Sequence, residues 1–491
     1  MRVDARDQRI EALEARVEKL LARVEEQDRR ISALEAENRA LKVENVELRA
    51  RLNQNSTNSS KPPSSDPPGV DRQPKSPSGR KPGGQPGHKA HKRELLPVEQ
   101  VDRVVELMPK TCGRCDARLF GKDAEPARHQ VTEIPPISPF VTEYRCHALT
   151  CNRCGAETRE ELPREVRSAF GERLAATVCV LVGKYRLSKR LVQDALADLL
   201  GVELALGSVS NLEQEVSAAL ESQVAEAEEF VREQNVVHAD ETGWAEGRHD
   251  GRARRAWLWV AASALVSVFR ISRSRGREVA KSLLDGFVGF LVTDRWSAYN
   301  WYDAGLRQLC WSHLTRDFQG FIDRGREGAR IGRLLMNERD KMFRWWHRVR
   351  DKSMSRRDFI ERMKKVESRV GRLLREAVVR AEAKTAGMAK EMLKLEHAMW
   401  TFVQVESLEP TNNFGERTIR HAVMFRKTSF GTQSPDGSRF VERILTAVTS
   451  LRAQKRNVLE HLTETLRAHR RSQRAPSLLP RAPISKLAIA A

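Results

Sequence analysis

The sequence predicts a multidomain α/β protein in which a mixed sheet with a helical insertion follows several smaller N-terminal segments. A chain of 491 residues typically folds into about three domains. A seven-residue repeat occupies the start of the chain, and two Cys-x-x-Cys pairs follow it. Strand-like apolar runs then appear between residues 235 and 293, and residues 314–402 read as long helices.

Residues 1–52 carry a heptad repeat that no glycine or proline interrupts. The spacing between core positions alternates between four and three residues, which is typical of a coiled coil. One core position holds Val3, Ile10, Val17, Val24, Ile31, Asn38, Asn45 and Leu52, and the other holds Leu13, Leu20, Gln27, Leu34, Leu41 and Leu48. Branched residues at the first position and leucine at the second favour two parallel strands, so we expect a homo-oligomer. The alternative is a single long helix that packs on its own protein.

Residues 53–93 are rich in serine, proline, glycine and basic residues and break every periodicity. From 61 to 93, eight Lys and Arg residues oppose two Asp residues, a local charge of 8 − 2 = +6. Such a segment cannot bury a core and is expected to be disordered when alone. It is either a plain linker or a basic arm that lies along DNA, with Lys89, Lys92 and Arg93 as contacts.

Residues 94–166 contain the two Cys-x-x-Cys knuckles, Cys112 with Cys115 and Cys151 with Cys154. Each knuckle can offer two thiolates to one metal, and two knuckles complete a tetrahedral site. The sequence therefore predicts a zinc ribbon-like module with a structural Zn²⁺, because four thiolates leave no open position.

Residues 167–228 read as helices. An amphipathic run over residues 187–200 ends at Gly201, and a second helical run follows. Helix, glycine turn and helix indicate a helix-turn-helix-like DNA-binding region. The second helix is acidic, which leaves an ordinary helical hairpin as the alternative.

Residues 229–450 contain the three acidic residues that we consider as candidate metal ligands. Apolar strand-like runs over 235–239 and 287–293 lead into Asp240 and Asp294, and Glu416 opens a helix-like segment. We expect a hairpin over 255–271 and a short helix over 276–284 between the two Asp strands. A carboxylate at the end of a buried strand is costly without a cation. If the Asp strands are parallel neighbours, the three acids converge and can hold two divalent metals for displacement at a phosphodiester.

The alternation of side chains along a strand separates Asp240 from its neighbour Glu241. The two residues cannot face one site on a regular strand, so we assign Asp240 to the metals and leave Glu241 outside. On the later helix, Asn412, Glu416 and Arg420 share one stripe. Residues 451–491 form the predicted basic C-terminal tail, which we expect to fray after about residue 465.

Charge and cysteine usage limit the choice of partner and compartment. Lys and Arg number 86 against 66 Asp and Glu, a net charge of +20, which favours nucleic acid because basic groups release the counterions of phosphate. An anionic membrane is a weaker alternative. The longest apolar run, residues 256–269, is too short to span a bilayer. The N-terminus shows no secretory signal, and paired cysteines suit a reducing cytosol. We expect a cytoplasmic, nucleoid-associated protein without a membrane partner.

The chain resembles the insertion-sequence-66 family of DDE transposases over nearly its whole length. The resemblance rests on the leading heptads, residues 61–65 and 83–88, the paired knuckles, and residues 238–242, 310–313 and 412–417, all in the same order. It implies an RNase H-like core with a helical insertion and a metal-binding triad of Asp240, Asp294 and Glu416, served by two Mg²⁺ or Mn²⁺ ions.

The resemblance also implies a function and its partners. A transposase would bind the ends of its insertion sequence, cut there and join the freed 3′ ends to target double-stranded DNA, with small accessory proteins as further partners. Basic residues beside the site, Arg417, Arg420, Arg426 and Lys427, would face phosphate, although a solvated basic surface is the alternative. Cys310 and His313 have the spacing of a metal fragment, and we expect a structural role for them. A non-catalytic zinc and coiled-coil DNA-binding regulator and an RNase H-like nuclease remain alternatives.

Overall fold

The computed structural model of the protein describes residues 4–52, 93–166, 168–249 and 252–480. Contacts divide the chain into two compact units. The smaller unit comprises Pro74–Leu162 and Lys189–Val209, and the larger comprises Met1–Gln73, Pro163–Ser188 and Ser210–Ala491. The predicted linker contacts Lys89 and Lys92 lie outside the described residues.

The heptad segment forms one uninterrupted helix, α1 (Asp4–Leu52), as its repeat predicts. At 1.5 Å per residue, its 49 residues extend about 74 Å. Its apolar stripe is exposed: for example, Leu20 is 55% and Leu34 is 56% accessible. The predicted coiled-coil pairing therefore remains a prediction that needs a second helix.

The described cysteine segment of the smaller unit, residues 93–162, has little regular structure. Two three-residue strands, β1 (Ala148–Thr150) and β2 (Glu157–Arg159), pair antiparallel around the second cysteine knuckle. A single bridge between Thr111 and Arg118 encloses the first knuckle. No described residue between 93 and 162 is fully buried, so this segment has no apolar core of its own.

Helices follow the cysteine segment, as predicted. They are α2 (Glu172–Gly183), α3 (Lys189–Leu200), α4 (Leu206–Ala219) and α5 (Glu221–Arg232). Gly201 ends α3 with a left-handed backbone (φ 63°), and its N–H donates to the Ala197 carbonyl. A glycine adopts this conformation without the steric cost that other residues incur.

A five-stranded mixed sheet forms the centre of the larger unit, which confirms an α/β fold. Its strands are β3 (Val236–His249), β4 (Arg252–Ala262), β5 (Ser267–Ser272), β6 (Phe290–Thr293) and β7 (Arg307–Leu309). The order in the sheet is β5-β4-β3-β6-β7. The pairs β5/β4 and β4/β3 are antiparallel, and β3/β6 and β6/β7 are parallel. Helix α6 (Arg277–Leu283) joins β5 to β6 where a short helix was predicted.

The predicted insertion is helical throughout most of its length. Its helices are α7 (Trp311–Asp323), α8 (Arg326–Arg350), α9 (Arg356–Arg380), α10 (Ala383–Lys394) and the short α11 (Thr401–Gln404). They share one apolar core, which continues to Val292 and Leu309 on the sheet. A second core joins the sheet to α5 and α6 through Val237, Trp259 and Leu291.

Three more helices close the larger unit: α12 (Asn413–Ser429), α13 (Pro435–Ala453) and α14 (Val458–Arg470). The boundary predicted at residue 451 is wrong, because it falls inside α13, and regular structure passes the predicted fraying point at 465. Leu462 and Leu466 of α14 are fully buried, and α14 packs on α2. No helix in the described part of the chain is both long and apolar enough to cross a bilayer.

Candidate functional site

The two predicted aspartates lie on neighbouring parallel strands. Val236 pairs with Phe290 and His238 with Val292, an offset of 290 − 236 = 54 residues. The same offset joins Asp240 to Asp294 (294 − 240 = 54), and Asp294 directly follows the last residue of β6. The expectation that these strands are parallel neighbours is confirmed.

The expectation that Asp240 ends its strand is wrong. Strand β3 continues through it to His249, since β4 pairs with β3 along this length and Asp240 lies opposite Val260. A carboxylate thus lies inside a long strand, where hydrogen bonding along the hairpin outweighs the low β propensity of Asp.

Neither aspartate has an ion-pair partner among the described residues. Asp240 accepts the N–H of Glu241 at 2.9 Å, and Asp294 accepts the N–H of Trp296 at 2.8 Å. Burial, followed by the charges of Glu241 and Asp294, raises the pKa of Asp240 well above its usual range. Such a site favours a proton or a bound cation at Asp240.

Glu241, in contrast, is fully engaged by protein groups. Arg275 donates to Oε1 from Nε at 3.0 Å and from Nη2 at 2.8 Å, and the Tyr299 hydroxyl donates to Oε2 at 2.8 Å. The guanidinium of Arg275 also lies 3.9 Å from the ring centre of Trp296. Burial and the Asp294 charge raise the pKa of Glu241, while Tyr299 and Arg275 lower it.

Glu416 lies in the first turn of α12 beside Cys310 and His313. Its Oε1 is 3.8 Å from Cys310 Sγ and 3.4 Å from His313 Nδ1. The three side chains offer ligand atoms that all lie within 4.8 Å of one another. The Asn412 N–H donates to Cys310 Sγ at 3.2 Å. Cys310 and His313 therefore have the third partner that no nearby sequence signal indicated, because Glu416 lies more than a hundred residues away.

The three carboxylates are close enough to affect one another's protonation. The charge of Asp294 contributes to raising the pKa of both Asp240 and Glu416, after burial as the largest cause in each case. Within the described residues, however, only the Cys310, His313 and Glu416 group meets the 4.8 Å spacing, so the predicted triad is adjacent but not gathered as tightly.

Asn412 contributes to the site in a way that its sequence position, on the same helix stripe as Glu416, did not predict. Its Nδ2 donates to the Ala239 carbonyl at 2.9 Å, and its Oδ1 lies 2.8 Å from His238 Nδ1. Burial lowers the pKa of His238 to about 4, so this imidazole is neutral at pH 7. One amide thereby fixes the start of α12 against β3 and sets the position of Glu416 relative to Asp240.

A cavity of about 610 Å³ lies over Asp294 and His313. Its lining mixes charges, with Arg316 and Arg324 beside Asp294 and Glu391, while Arg275 and Arg295 pair with Glu241 and Asp317. Arg316 forms no ion pair with a described residue, and its guanidinium suits the oxygens of phosphate.

The predicted DNA contacts on α12 are mostly exposed. Arg417, Arg420 and Lys427 are accessible, whereas Arg426 is half-buried and donates to the Gly243 carbonyl. Arg93 is exposed and donates to the Thr132 hydroxyl in the smaller unit.

The two cysteine knuckles have the same local geometry. In each, the first Cys N–H donates to a carbonyl five residues later, Cys112 to Ala117 and Cys151 to Ala156. Backbone N–H groups, those of Arg114 and Arg153 first, lower the pKa of Cys112 and Cys151. In the part of the chain that the structure describes, no three of these four sulfur atoms lie within 4.8 Å of one another. The local turns suit zinc, but no apolar core fixes one knuckle against the other.

The sequence is similar to two protein families and to one bacterial protein. The family described as Transposase IS66 family matches residues 167–439, which is more than half of the chain. A family of unknown function matches residues 2–94. The chain is 26% identical over 417 residues to the uncharacterized protein y4qI of Sinorhizobium fredii, covering 79% of this chain and 74% of that protein.

Proposed function

The chain belongs to the IS66 family of transposases, and from this premise we propose that it cuts DNA at the ends of its insertion sequence and joins the freed 3′ ends to target DNA. The observation that carries the proposal is the pair of partly buried aspartates on neighbouring parallel strands, neither of which forms an ion pair with a described residue. We further assign the mixed sheet and its inserted helices to an RNase H-like catalytic core, with the antiparallel β5, β4 and β3 preceding the parallel β6 and β7.

Asp240, Asp294 and Glu416 are the residues that would hold two Mg²⁺ or Mn²⁺ ions. Their oxygen donors fit these hard cations, and buried like charges favour a bound cation. When bound, such ions polarise the phosphate and activate the attacking oxygen. Glu241 stays outside this set, because Arg275 and Tyr299 already satisfy its oxygens.

The residues around the cavity would position the DNA. Arg316 would pair with a phosphate oxygen next to Asp294, whereas Arg295 already pairs with Asp317. His313 Nδ1 is buried and makes no hydrogen bond, although it lies near Glu416 Oε1. Burial lowers the pKa of His313 to about 4, so the imidazole is neutral at pH 7 and adds no positive charge beside Glu416.

The remaining parts of the chain would hold the DNA and a second copy of the protein. A net charge of +20 supports binding to double-stranded DNA at element ends and at the target. The exposed stripe of α1 supports a homo-oligomer, and small accessory proteins are further proposed partners. A structural Zn²⁺ at Cys112, Cys115, Cys151 and Cys154 would order the described cysteine segment, residues 93–162, which has no buried apolar residue.

Strand transfer with a labelled element end tests this function. We expect Asp294→Asn to abolish joining in Mg²⁺ or Mn²⁺ while DNA binding persists, because the change removes a charged metal ligand and keeps the side-chain shape. Losses of a hundredfold or more are typical when a group that stabilises the transition state is removed, on the order of 3 kcal/mol. Gel-resolved joining products and a parallel binding titration give the two readouts.

Asp436→Asn is the matched control, because Asp436 is an exposed carboxylate in the first turn of α13 that pairs only with Arg439 among the described residues. Equal joining by wild type and Asp294→Asn would remove Asp294 from the site. Specific DNA binding by a wild-type protein that never joins strands would favour the non-catalytic regulator.

A further inference from the structure

A second cavity, of about 810 Å³, lies beside the end of α12 and the outer half of the β3/β4 hairpin. Its lining includes Arg248, Arg255, Lys427, Trp257 and Phe430, and no acidic residue takes part. Glu246 lies in the same stretch of β3 but faces away, where it pairs with Arg273 and accepts from Ser438. These contacts keep the nearby carboxylate out of the lining and leave a basic, aromatic cavity.

The cations of this cavity are available to a ligand. Arg248, Arg255 and Lys427 form no ion pair with any residue that the structure describes, and all three are exposed. Arg426 differs, since it donates to the Gly243 carbonyl and lies 3.4 Å from the Thr242 hydroxyl, so it supports the wall of the cavity. Three unpaired positive charges around one concave surface attract an anion.

Phe430 projects from the mouth of the cavity. It follows the last residue of α12 with a left-handed backbone (φ 59°), and its N–H donates to the Arg426 carbonyl at 2.8 Å. The side chain is 81% exposed. A bulky residue is uncommon in this conformation, where glycine or asparagine is usual, and the exposed ring has no packing role that would explain it.

The floor of the cavity is held by backbone hydrogen bonds. The Thr432 N–H donates to the Ala245 carbonyl at 2.9 Å, and the Gly247 N–H donates to the Thr432 carbonyl at 2.8 Å. Gly431 permits this close approach, since its φ is 99° and a Cβ there would clash with the Ala245 carbonyl oxygen. The cavity is therefore preformed, and Phe430 is presented from a fixed turn.

We propose that this cavity binds an unpaired nucleotide of the DNA strand, with the Phe430 ring stacked on the base and Arg255 and Lys427 paired with the phosphates. A nucleotide combines the two properties that the lining selects, an aromatic face and negative charge. The nucleotide is unpaired because a duplex presents phosphates and groove edges but hides the faces of its bases. The proposal rests on the proposed function for the identity of the ligand as DNA.

The spacing along α12 relates this cavity to the carboxylate site. Lys427 follows Glu416 by 427 − 416 = 11 residues on one helix, a separation of about 16 Å at 1.5 Å per residue. Nucleotides repeat every 3.4 Å along one strand of a duplex, so about five nucleotides span this length. A strand held at the carboxylates can therefore place a base several nucleotides from the cut in the second cavity.

The test uses two duplexes of identical random sequence, one fully paired and one with a single unpaired 2-aminopurine. Binding by the full-length, zinc-loaded protein is measured by anisotropy without added Mg²⁺ or Mn²⁺, so that no cleavage is needed and the zinc is retained. We expect wild type to prefer the duplex with the unpaired base and to change the 2-aminopurine fluorescence through stacking. Phe430→Ala should reduce this preference about tenfold, while Phe430→Trp should retain it.

We compare the affinity for the duplex with the unpaired base to the affinity for the fully paired duplex. This ratio cancels the contribution of every other DNA-binding part of the chain. Val379→Ala is the matched control, because Val379 is 82% exposed on α9, outside the cavity. The same preference in Phe430→Ala as in wild type, or no preference in wild type, would overturn the proposal. The assay measures binding and needs no catalysis. A protein that fails to transfer strands could therefore still show the preference for the unpaired base.

Discussion

Asp240 and Glu241 are adjacent on β3, but they differ in the hydrogen-bond donors that surround their carboxylates. Asp240 and Glu241 carry the same charge and are both largely buried, yet only Glu241 meets protein donors, from Arg275 and Tyr299. Asp240 keeps a single backbone N–H and interacts with like charges. Strand alternation separated the two acids without choosing between them, and Asp240 was assigned to the metals. The hydrogen bonds to Glu241 support that assignment, because its oxygens already have protein donors.

Glu442 on α13 predicts a measurable pH dependence. It accepts the Ile271 N–H at 2.5 Å, and burial raises its pKa from an ordinary 4.5 to about 7. The folded state thus holds this proton more tightly than the unfolded state. The free energy of unfolding should therefore fall as the pH rises from about 4.5 through 7. Glu442→Gln keeps an acceptor for Ile271 and removes the titration, so the variant should gain roughly 2–3 kcal/mol on wild type between pH 4.5 and 8.

Denaturant unfolding followed by tryptophan fluorescence at the two pH values measures this difference. Glu464→Gln on α14 is the control, because Glu464 is exposed and its removal should leave the wild-type pH dependence in place. A Glu442→Gln protein with the same pH dependence as wild type would contradict the prediction.

At the scale of elements, α13 protects the open edge of the sheet. Edge strand β5 offers the N–H groups of Ser267, Phe269 and Ile271. These donate to three side chains four residues apart on α13: Ser450 at 3.0 Å, Thr446 at 3.1 Å and Glu442 at 2.5 Å. Residues at this spacing share one helix face, so a polar stripe on the helix replaces a sixth strand and blocks edge-to-edge pairing.

The insertion helices make a prediction about close packing. Gly332 of α8 lies against α7, where an added Cβ would be 2.8 Å from the Phe318 carbonyl oxygen and 2.8 Å from Ile322 Cγ1. A backbone oxygen in a helix cannot move alone, so Gly332→Ala should force the helices apart and cost about 1–3 kcal/mol of stability.

Gly387→Ala on α10 is the matched substitution. A Cβ there meets nothing within 4 Å, so replacing a helical glycine should stabilise the protein by about 0.5–1 kcal/mol. Urea unfolding of both variants gives the comparison. Equal stabilities of the two variants would show that the α7/α8 contact tolerates a methyl group.

Element prediction succeeded where apolar periodicity was strong and failed where polar residues form a strand. The heptad helix, the β4/β5 hairpin and the insertion helices follow from their patterns. Strand β7 was missed because it contains Arg307 and Gln308, which carry no strand signal. Both are fully buried, since Arg307 donates to Thr293 Oγ1, to Asn300 Oδ1 and to the Asp294 carbonyl.

At the scale of the whole molecule, α1 predicts self-association. The apolar residues at its heptad positions are about half exposed, and such a stripe is costly in water without a partner. Leu34→Lys places a charge in the stripe and should shift a dimer towards monomer, measured by sedimentation or light scattering at micromolar protein.

Val43→Lys is the control, because Val43 is 63% exposed and lies five residues after core position Asn38, on the opposite side of the heptad. It should leave the mass unchanged. A wild-type protein that is monomeric at high concentration would show that α1 does not pair with a second copy.

The sequence by itself determined the features that depend on neighbours along the chain: the helical heptads, the alternation that separates Asp240 from Glu241, the paired turns of the cysteine knuckles and the excess of positive charge. Only the tertiary structure decided that Glu416 lies beside Cys310 and His313, that Asn412 fixes α12 to β3, and that α13 covers the sheet edge. The difference is physical. Local patterns reflect backbone geometry within a few residues, whereas these contacts join residues about a hundred or more positions apart, whose proximity depends on how the whole core packs.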